Sequence, residues 1–402
     1  MTTATTASPQ PGIAKDATVT AHSGHSAAID SLRGLAALMV VVFHMEFWGF
    51  PIVPGHVAML GALGVNLFFT LSGFLIGRAV LLPSRFDRLK YLKNRSLRIL
   101  PNYFICCFLV LFIVNGNAIG HATPGELAFD LGTHALLMHA WFGSTANTLI
   151  GPLWTLSHEW IFYLIIFAAA PCLRSRRGWI VPFFMCVAAL AGKYLITTNA
   201  WAPSTSRMNP VCMWDQFGLG IIGALCSVGS AAWKRRPLWL WVVLGLGVLL
   251  MGACFYRQHA LAAALHASEA PEMLARRTKG MGQNYAVEFY RKRSNVVWFP
   301  FVFSTGVSLV LVAVSSGFQG LNRWLEKTPL PWLGMVSYST YLYHMAVLLC
   351  LVRGFSGAAK GGIFASRGAA CVVAVAGIYA ISAFCYHLFE KPWLDRKAKS
   401  ST

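Results

Sequence analysis

Residues 238–255 read LWLWVVLGLGVLLMGACF and contain no charged side chain. A helix needs about 20 mostly apolar residues to cross the hydrocarbon core of a bilayer, so a run of this length and composition is typical of a membrane span. A strand of an outer-membrane barrel would instead alternate apolar and polar residues over segments of roughly ten. The stretch therefore predicts a transmembrane α-helix.

Similar apolar runs recur along the chain, in which 56% of the residues are hydrophobic, 12% are charged and the mean hydropathy is +0.57. These values lie outside the range of an ordinary soluble domain. We predict an all-α integral membrane protein, a bundle of about ten transmembrane helices. The predicted spans cover residues 29–48, 60–82, 99–114, 153–171, 179–196, 211–229, 237–255, 296–314, 333–352 and 369–389. A further stretch, 127–142, contains Asp130, His134 and His139 and is predicted to be an amphipathic or re-entrant helix.

The formal net charge of +19 comes from Lys and Arg residues that cluster at the ends of the apolar runs. Such clusters are typical of the cytoplasmic side of a membrane protein. Because membrane topology accounts for the positive charge, we expect no nucleic-acid partner. They follow the second, fourth and sixth predicted spans, whereas residues 46–77 and 115–154 contain neither Lys nor Arg. Both termini are therefore predicted to be cytoplasmic. The basic segment 256–295 disagrees, because the span count puts it outside.

Three regions are predicted along the chain. Residues 1–28 are rich in Ala, Ser and Thr, lack the apolar core of a signal peptide, and are predicted to be a disordered cytoplasmic tail. Residues 29–395 form the transmembrane domain, and residues 396–402 form a second cytoplasmic tail. The ten cysteines lie within or beside apolar runs, so we interpret them as small buried hydrophobic residues rather than as a disulfide framework.

The first predicted span contains one cation, Arg33, and one imidazole, His44. Ionisable side chains are costly inside a membrane, so they usually have a functional or structural role there. Eleven residues at roughly 1.5 Å and 100° each separate the two by about 16 Å and close to three turns, which puts both on one face. A phosphorylated donor with a long flexible arm fits this spacing, with its phosphates at Arg33 and its reactive end near His44. The alternative is that Arg33 reaches phospholipid headgroups and His44 bonds to a neighbouring helix.

The fourth predicted span begins with PLWTLSHEWIFYL, and Glu159 lies about two turns inside it, at a depth similar to that predicted for His44. A buried carboxylate needs a partner, and a histidine that must keep one tautomer is a suitable one. We therefore predict that Glu159 orients His44 and stabilises its protonated form. His158 points about 100° away and is the weaker candidate base. A purely structural Glu–His pair is the alternative.

Two further segments carry polar groups suited to a site. Arg95 and Arg98 stand three residues apart on one helical face just before the third predicted span. Their guanidinium groups present forked donors suited to the phosphates of a nucleotide donor, although such a basic run also anchors topology. In the ninth predicted span, Ser337, Tyr341 and His344 form a polar stripe at helical spacing, which lines a site or joins helices.

Taken together and in this order, these segments resemble the acyltransferase family 3 of membrane proteins. Its Arg-x10-His motif is met by Arg33 and His44, and its Arg-x-x-Arg-Ile-x-Pro-x-Tyr motif begins at Arg95. The segment around Glu159 matches its Trp-Ser-Leu-x-x-Glu-x-x-Phe-Tyr motif, with Thr155 in place of the usual serine. Further matches are FFTLSGFLI at 68–76, SYSTYLYH at 337–344 and FEKPW at 389–393. The matches span residues 29–395, nearly the whole chain.

The resemblance implies a membrane O-acyltransferase in the bacterial cytoplasmic membrane. Such enzymes move an acetyl or other short acyl group from acyl-CoA to a hydroxyl of a cell-surface glycan such as exopolysaccharide, lipopolysaccharide or peptidoglycan, and some acylate small molecules such as macrolides. Acyl-CoA, with acetyl-CoA as the expected form, is then a co-substrate, and neither a permanently bound cofactor nor a metal is expected. The chain ends at Thr402, as expected of the stand-alone form without a fused hydrolase-like domain.

Our mechanistic hypothesis gives each candidate residue a role. His44 is the general base, with acyl-histidine formation as an open variant, and Glu159 is its partner. The CoA phosphates bind near three arginines, Arg33, Arg95 and Arg98. Trp154, Tyr341 and His344 are expected to line the acceptor side, and the alternative for Tyr341 and His344 is support of the oxyanion.

A glycolipid transporter or flippase is the alternative class, because it would also combine about ten spans with buried His, Glu and Arg residues. Transporters often contain internal repeats or paired interrupted helices, and the sequence contains neither in recognisable form. A catalytically inactive scaffold is disfavoured because the set of ionisable residues is complete.

The predicted topology is testable with reporter fusions. A reporter fused after Thr402 is expected to stay cytoplasmic and one inserted at Asn147 to be exported, because basic clusters mark the exits of even-numbered spans as cytoplasmic. Paired alkaline phosphatase and green fluorescent protein fusions at each site measure this. Export of the carboxyl-terminal fusion would contradict the ten-span count.

Overall fold

The computed structural model describes residues 26–114, 123–198, 208–229, 237–268, 293–358, 367–393 and 395, and over these ranges the chain is helical without a β-strand. The helices are α1 Ala27–Phe47, α2 Gly55–Ala58, α3 Leu63–Leu81, α4 Arg88–Leu109, α5 Pro124–Ala135, α6 Trp154–Leu173, α7 Ile180–Thr197, α8 Trp214–Gly229, α9 Pro237–Ser268, α10 Arg293–Gly317, α11 Gln319–Leu325, α12 Leu330–Met335, α13 Ser337–Ala358 and α14 Arg367–Cys385. Within the described ranges, nine segments are long and apolar enough to cross a membrane. The prediction of an all-α membrane bundle is confirmed.

Helix α13 corresponds to the ninth predicted span but is not one of those nine segments. Its 22 residues give a length of about 33 Å at roughly 1.5 Å per residue, which is enough to cross a bilayer. Its first turns carry Ser, Thr, Tyr and His residues, which lower its mean hydropathy. These polar turns face the protein interior, since Ser337, Ser339, Thr340 and His344 are each 0% exposed. The polar end of α13 is therefore shielded from lipid by the surrounding helices.

The end of α9 differs from the prediction. The helix continues to Ser268, so the first part of the predicted loop 256–295 is helical. The added segment is composed largely of Ala and Leu, which are strong helix formers. Residues 269–292 of that loop, the predicted tail 396–402 and residues 1–25 of the predicted amino-terminal tail lie outside the described residues.

Helix α5 does not cross the membrane. Its 12 residues fall short of the roughly 20 that a span needs, as the sequence predicted for this region. A capping box at its start pairs the Thr123 hydroxyl with the backbone N–H of Glu126, and the Glu126 carboxylate with the Thr123 N–H at 3.0 Å. These hydrogen bonds lower the pKa of Glu126. α5 is therefore a short helix with its own start signal.

Helices α3 and α8 cross in backbone contact at the centre of the bundle. A Cβ atom at Gly73 of α3 would overlap the carbonyl oxygen of Phe217, and one at Gly220 of α8 would overlap that of Thr70. Small residues at such a crossing allow the close packing that holds membrane helices together. α10 packs against both helices, and α9 packs against α10.

Helix α1 lies against α3 on one side and against α12 and α13 on the other. A Cβ atom at Gly334 of α12 would overlap the Asp30 carbonyl group, and one at Gly34 of α1 would lie 2.7 Å from the Gly334 nitrogen. α1 and the start of α13 are thereby held close together. This contact brings the polar residues of the first and ninth predicted spans to one place.

The α3–α8 crossing yields a test of the packing. We expect Gly220→Ala to lower the free energy of unfolding by about 1–3 kcal/mol, because a methyl group has no room against the α3 backbone. Gly245→Ala is the matched control in α9, since no atom lies within 4 Å of the added carbon, and it is expected to be neutral or slightly stabilising. Thermal unfolding of both variants in detergent measures the difference. Equal melting temperatures would contradict the backbone contact.

Candidate active site

The three predicted donor-binding arginines line one cavity of about 80 Å³, which we call the arginine cavity. Arg33 comes from α1, Arg95 and Arg98 come from α4, and Glu159 of α6 lies in the same wall. The structure thus brings these three arginines together in one cavity. With three guanidinium groups and one carboxylate in its wall, the arginine cavity favours an anionic occupant.

Further carboxylates lie close to these arginines. Asp30 Oδ1 is 3.9 Å from Arg33 Nη1. Glu390 is 3% exposed and lies near enough to interact electrostatically with both Arg33 and Arg98. Its Oε2 accepts a hydrogen bond from Ser339 Oγ of α13 at 2.8 Å. The closing FEKPW segment therefore supplies a buried carboxyl group behind the arginines, which the sequence alone did not indicate.

Glu159 is held by two hydroxyl groups. Ser72 Oγ of α3 donates a hydrogen bond to Glu159 Oε1 at 3.0 Å, and the Tyr163 hydroxyl, one turn further along α6, donates to the same oxygen. The Arg95 guanidinium lies over the Tyr163 ring at 5.6 Å from its centroid. Glu159 is therefore a half-buried carboxyl group in the wall of the arginine cavity, held by hydroxyl groups of α3 and α6.

The predicted pairing of Glu159 with His44 is not formed among the described residues. Trp154, at the start of α6, lines a cavity together with His44, whereas Glu159, about 7.5 Å further along the helix, lines the arginine cavity. The prediction was wrong because it placed Glu159 by its distance from the predicted start of its span. The sequence does not give the shift of α6 relative to α1 along the helix axis, and this shift decides which residues meet. Glu159 balances the arginines instead.

The partner of His44 is His344. Nε2 of His344 lies 3.2 Å from Nδ1 of His44, which is also 3.0 Å from the Val40 carbonyl oxygen. Nδ1 of His344 faces the carbonyl oxygens of Thr340 and Tyr341, so this nitrogen carries the hydrogen and Nε2 is an acceptor when the ring is neutral. His44 then carries its own hydrogen on Nδ1. This leaves Nε2 of His44 as an unprotonated base.

His44 lines a second and larger cavity of about 620 Å³, which we call the histidine cavity. The predicted acceptor-side residues Trp154 and Tyr341 lie in its wall, whereas His344 is fully buried and contacts the cavity through His44. The wall also contains polar residues from five other segments, namely Asn66, Asn147, Lys193, Gln216 and Gln258. Its volume lies in the range of roughly 300–1,000 Å³ that is typical of ligand pockets.

The arginine cavity and the histidine cavity share parts of their walls. Val65 of α3 and Tyr341 of α13 line both. The Tyr341 hydroxyl lies 3.0 Å from the Thr155 hydroxyl and 3.3 Å from the Pro152 carbonyl oxygen, which fixes the ring between the two cavities. An anion held by the arginines and a molecule beside His44 are therefore neighbours across one tyrosine ring.

The connection between α4 and α6 also shapes the histidine cavity, through Asn147. The His134 and His139 rings stack at a centroid distance of 4.1 Å, and Ser157 Oγ of α6 donates a 2.6 Å hydrogen bond to the Leu137 carbonyl oxygen. Burial, with the neighbouring His134 as the next cause, lowers the pKa of His139 to about 3. The His139 ring therefore packs in its neutral form at ordinary pH.

Sequence reasoning missed a buried ion pair in the wall of the histidine cavity. Lys193 Nζ of α7 lies 2.5 Å from Asp215 Oδ2 of α8, and the two residues are 1% and 0% exposed. It also missed Gln216 and Gln258, which line the histidine cavity beside Lys193. A signal was present, because Lys193 and Asp215 are the only charged residues of the fifth and sixth predicted spans. An intramembrane charge is by default a candidate for function.

The fold and these two cavities define a multi-pass helical membrane protein with a cationic site next to a paired histidine. The family model described as an acyltransferase domain, that of acyltransferase family 3, matches residues 26–386. The chain belongs to this family of acyltransferases. No solved structure matches the chain.

Named relatives agree with this membership. The chain is 26% identical over 385 residues to BcsY of Komagataeibacter xylinus, provisionally named a membrane-bound transacylase, covering 91% of this chain and 82% of BcsY. It is 23% identical over 383 residues to the acyltransferase MdmB of Streptomyces mycarofaciens, covering 91% and 90%. It is 23% identical over 354 residues to YrhL of Bacillus subtilis (strain 168), provisionally named a peptidoglycan O-acetyltransferase, covering 82% of this chain and 50% of YrhL.

Proposed function

We propose that this protein transfers an acetyl or other short acyl group from acyl-CoA to a hydroxyl group of a cell-surface glycan. Its membership in an acyltransferase family supports acyl transfer, and the name of YrhL, a peptidoglycan O-acetyltransferase, supports a glycan acceptor. The observation that carries the proposal is the shared wall at Tyr341. This ring joins a cationic cavity suited to a phosphorylated donor to a larger cavity that contains a histidine base.

The arginine cavity receives the donor. Its three guanidinium groups offer charge-assisted, forked hydrogen bonds to phosphate oxygens. At about 80 Å³ it is well below the roughly 300 Å³ of a pocket that buries a drug-sized ligand, so the adenosine of CoA stays at the mouth. The flexible arm of the donor then runs past Tyr341, and the distance of about 16 Å from Arg33 to His44 along α1 matches an extended arm.

The histidine cavity performs the transfer. The acceptor hydroxyl gives its proton to Nε2 of His44 as its oxygen attacks the thioester carbonyl carbon. The carbon–sulfur bond breaks, and the CoA thiolate takes the proton back from the imidazolium. The products are the O-acyl ester and free CoA. His344 accepts the Nδ1–H hydrogen bond of His44 throughout, which keeps the reactive nitrogen directed at the acceptor.

The positive-inside pattern assigns a side to each cavity. Arg95 and Arg98 follow the basic residues at the start of α4, so the arginine cavity is cytoplasmic and meets acyl-CoA there. The histidine cavity then faces the opposite half of the bilayer, where a glycan acceptor arrives. We therefore assign the protein to the bacterial cytoplasmic membrane, with both termini inside.

The donor site is tested by removing arginines. We expect Arg95→Ala combined with Arg98→Ala to raise the KM for acetyl-CoA by tenfold or more, since each charge-assisted hydrogen bond is worth about 1.5–3 kcal/mol. Arg88→Ala is the matched control, because Arg88 lies on the same helix over the Phe167 ring and outside the arginine cavity. Acetyl transfer is measured in membranes and normalised to protein abundance. If Arg88→Ala raised the KM as much as the double change, Arg95 and Arg98 would serve to anchor the membrane topology and not to bind the donor.

The base is tested by comparing two histidines. His44→Ala is expected to reduce turnover by about 10² to 10⁴ without loss of protein from the membrane, because general-base catalysis supplies a factor of this size. His344→Phe is expected to reduce it less, and to add little when His44 is already absent, because it acts through His44.

The control for this comparison is His158→Phe. His158 is also a fully buried membrane histidine, but it lines neither cavity, so normal turnover is expected. Turnover is followed as free thiol released from acetyl-CoA in the presence of glycan, with label incorporated into the glycan. Near-normal turnover in His44→Ala would show that another group is the base.

A further inference from the structure

The wall of the histidine cavity contains two buried amide oxygens without a hydrogen-bond donor among the described residues. These are Oε1 of Gln216 in α8 and Oε1 of Gln258 in α9, and their side chains are 1% and 2% exposed. Leaving a buried acceptor unpaired costs about 1–3 kcal/mol. Two such oxygens on different helices, each on a side chain that lines the same cavity, indicate that the cavity receives hydrogen-bond donors.

The orientation of both amide groups is fixed by their nitrogens. Nε2 of Gln258 donates to the Met59 carbonyl oxygen at 2.8 Å, and Nε2 of Gln216 lies 3.1 Å from the Met213 sulfur. Both partners accept hydrogen bonds and cannot donate, so exchanging nitrogen and oxygen in either amide would place two acceptors together. The unpaired atom is therefore an oxygen in each case, and it requires a donor such as a hydroxyl group.

The charge of the wall limits the class of ligand. Among the described residues of this wall, Lys193 is the only Lys, Arg, Asp or Glu, and Asp215 pairs with it. The histidine cavity is thus close to neutral, in contrast to the arginine cavity. A neutral wall with amide oxygens suits a neutral molecule with many hydroxyl groups, such as a sugar ring, better than a phosphate or a carboxylate.

We propose that Gln216 and Gln258 form the acceptor subsite, in which their side-chain oxygens accept hydrogen bonds from hydroxyl groups of a neutral sugar unit beside His44. This inference rests on the proposed acyl transfer and names the residues that select the acceptor. The hydroxyl groups held by the two glutamines fix the ring, and a neighbouring hydroxyl is presented to Nε2 of His44. The subsite acts on acceptor affinity and not on the donor.

The experiment uses Gln216→Met and Gln258→Met, which keep side-chain length and remove the amide. The full-length protein is assayed in membranes with radiolabelled acetyl-CoA and the neutral surface glycan of the host cell as the acceptor probe. We expect the KM for glycan to rise about threefold to tenfold in each variant, because one neutral hydrogen bond is worth about 0.5–1.5 kcal/mol. The KM for acetyl-CoA is expected to change by less than twofold.

Two controls separate binding from folding. Ile222→Leu changes an exposed side chain of α8 that lines neither cavity, and it is expected to leave both KM values unchanged. A variant that folds poorly lowers the amount of active protein, and therefore the maximal rate, without raising the KM for glycan. Gln216 and Gln258 lie on different helices, so a folding defect in one leaves the other as an independent test.

The outcomes distinguish this inference from the proposed function. If the wild-type protein transfers acetyl groups and neither variant has a raised KM for glycan, the acceptor subsite is wrong and the acyltransferase proposal stands. A parallel rise in the KM for acetyl-CoA would also overturn it, since the glutamines would then act on the donor. If the wild-type protein transfers no acetyl group to glycan, the proposed function itself fails.

Discussion

The backbone contact between Gly34 of α1 and Gly334 of α12 sets the register on which the site depends. Ten residues beyond each glycine stand His44 and His344, whose rings are hydrogen bonded. The first and ninth predicted spans therefore run in the same direction. Successive spans alternate in direction, so two odd-numbered spans of a ten-span bundle are expected to be parallel. A side chain at either glycine would move α1 away from α13, and it would separate the two imidazoles and displace Arg33 from the α4 arginines.

This register separates the charges of the protein into two cavities. Arg33, Arg95 and Arg98 concentrate positive charge in a small space, with Glu159 and Glu390 as the counter-charges that make their burial tolerable. The histidine cavity, which is larger, is close to neutral because Asp215 pairs with Lys193. A bilayer protein keeps such charges only where they have partners. The two cavities differ in net charge. The three arginines outnumber the one carboxylate in the wall of the arginine cavity and leave positive charge for a ligand, whereas the charge of Lys193 is balanced by Asp215.

Much of the fold followed from the sequence because the bilayer imposes a simple rule on it. A long apolar run such as 238–255 has to be a helix, and the spans and the non-spanning α5 were predicted for that reason. The grouping of Arg33 with Arg95 and Arg98 also followed, from motifs that match acyltransferase family 3. The extension of α9 to Ser268 was missed because hydropathy falls where the helix leaves the apolar run, although its Ala and Leu residues favour a helix.

The partner of His44 could not be predicted, because it depends on the offset between helices and not on the pattern within one. A carboxylate next to His44 would stabilise the imidazolium and tend to retain the proton after the acceptor has given it up. A neutral His344 fixes the tautomer by the same hydrogen bond without adding a charge to the cavity. In the proposed reaction the imidazolium would then carry an unbalanced charge in a nearly neutral cavity, which would favour return of the proton to the leaving thiolate. A histidine pair is thus suited to a base that must release its proton within the same reaction.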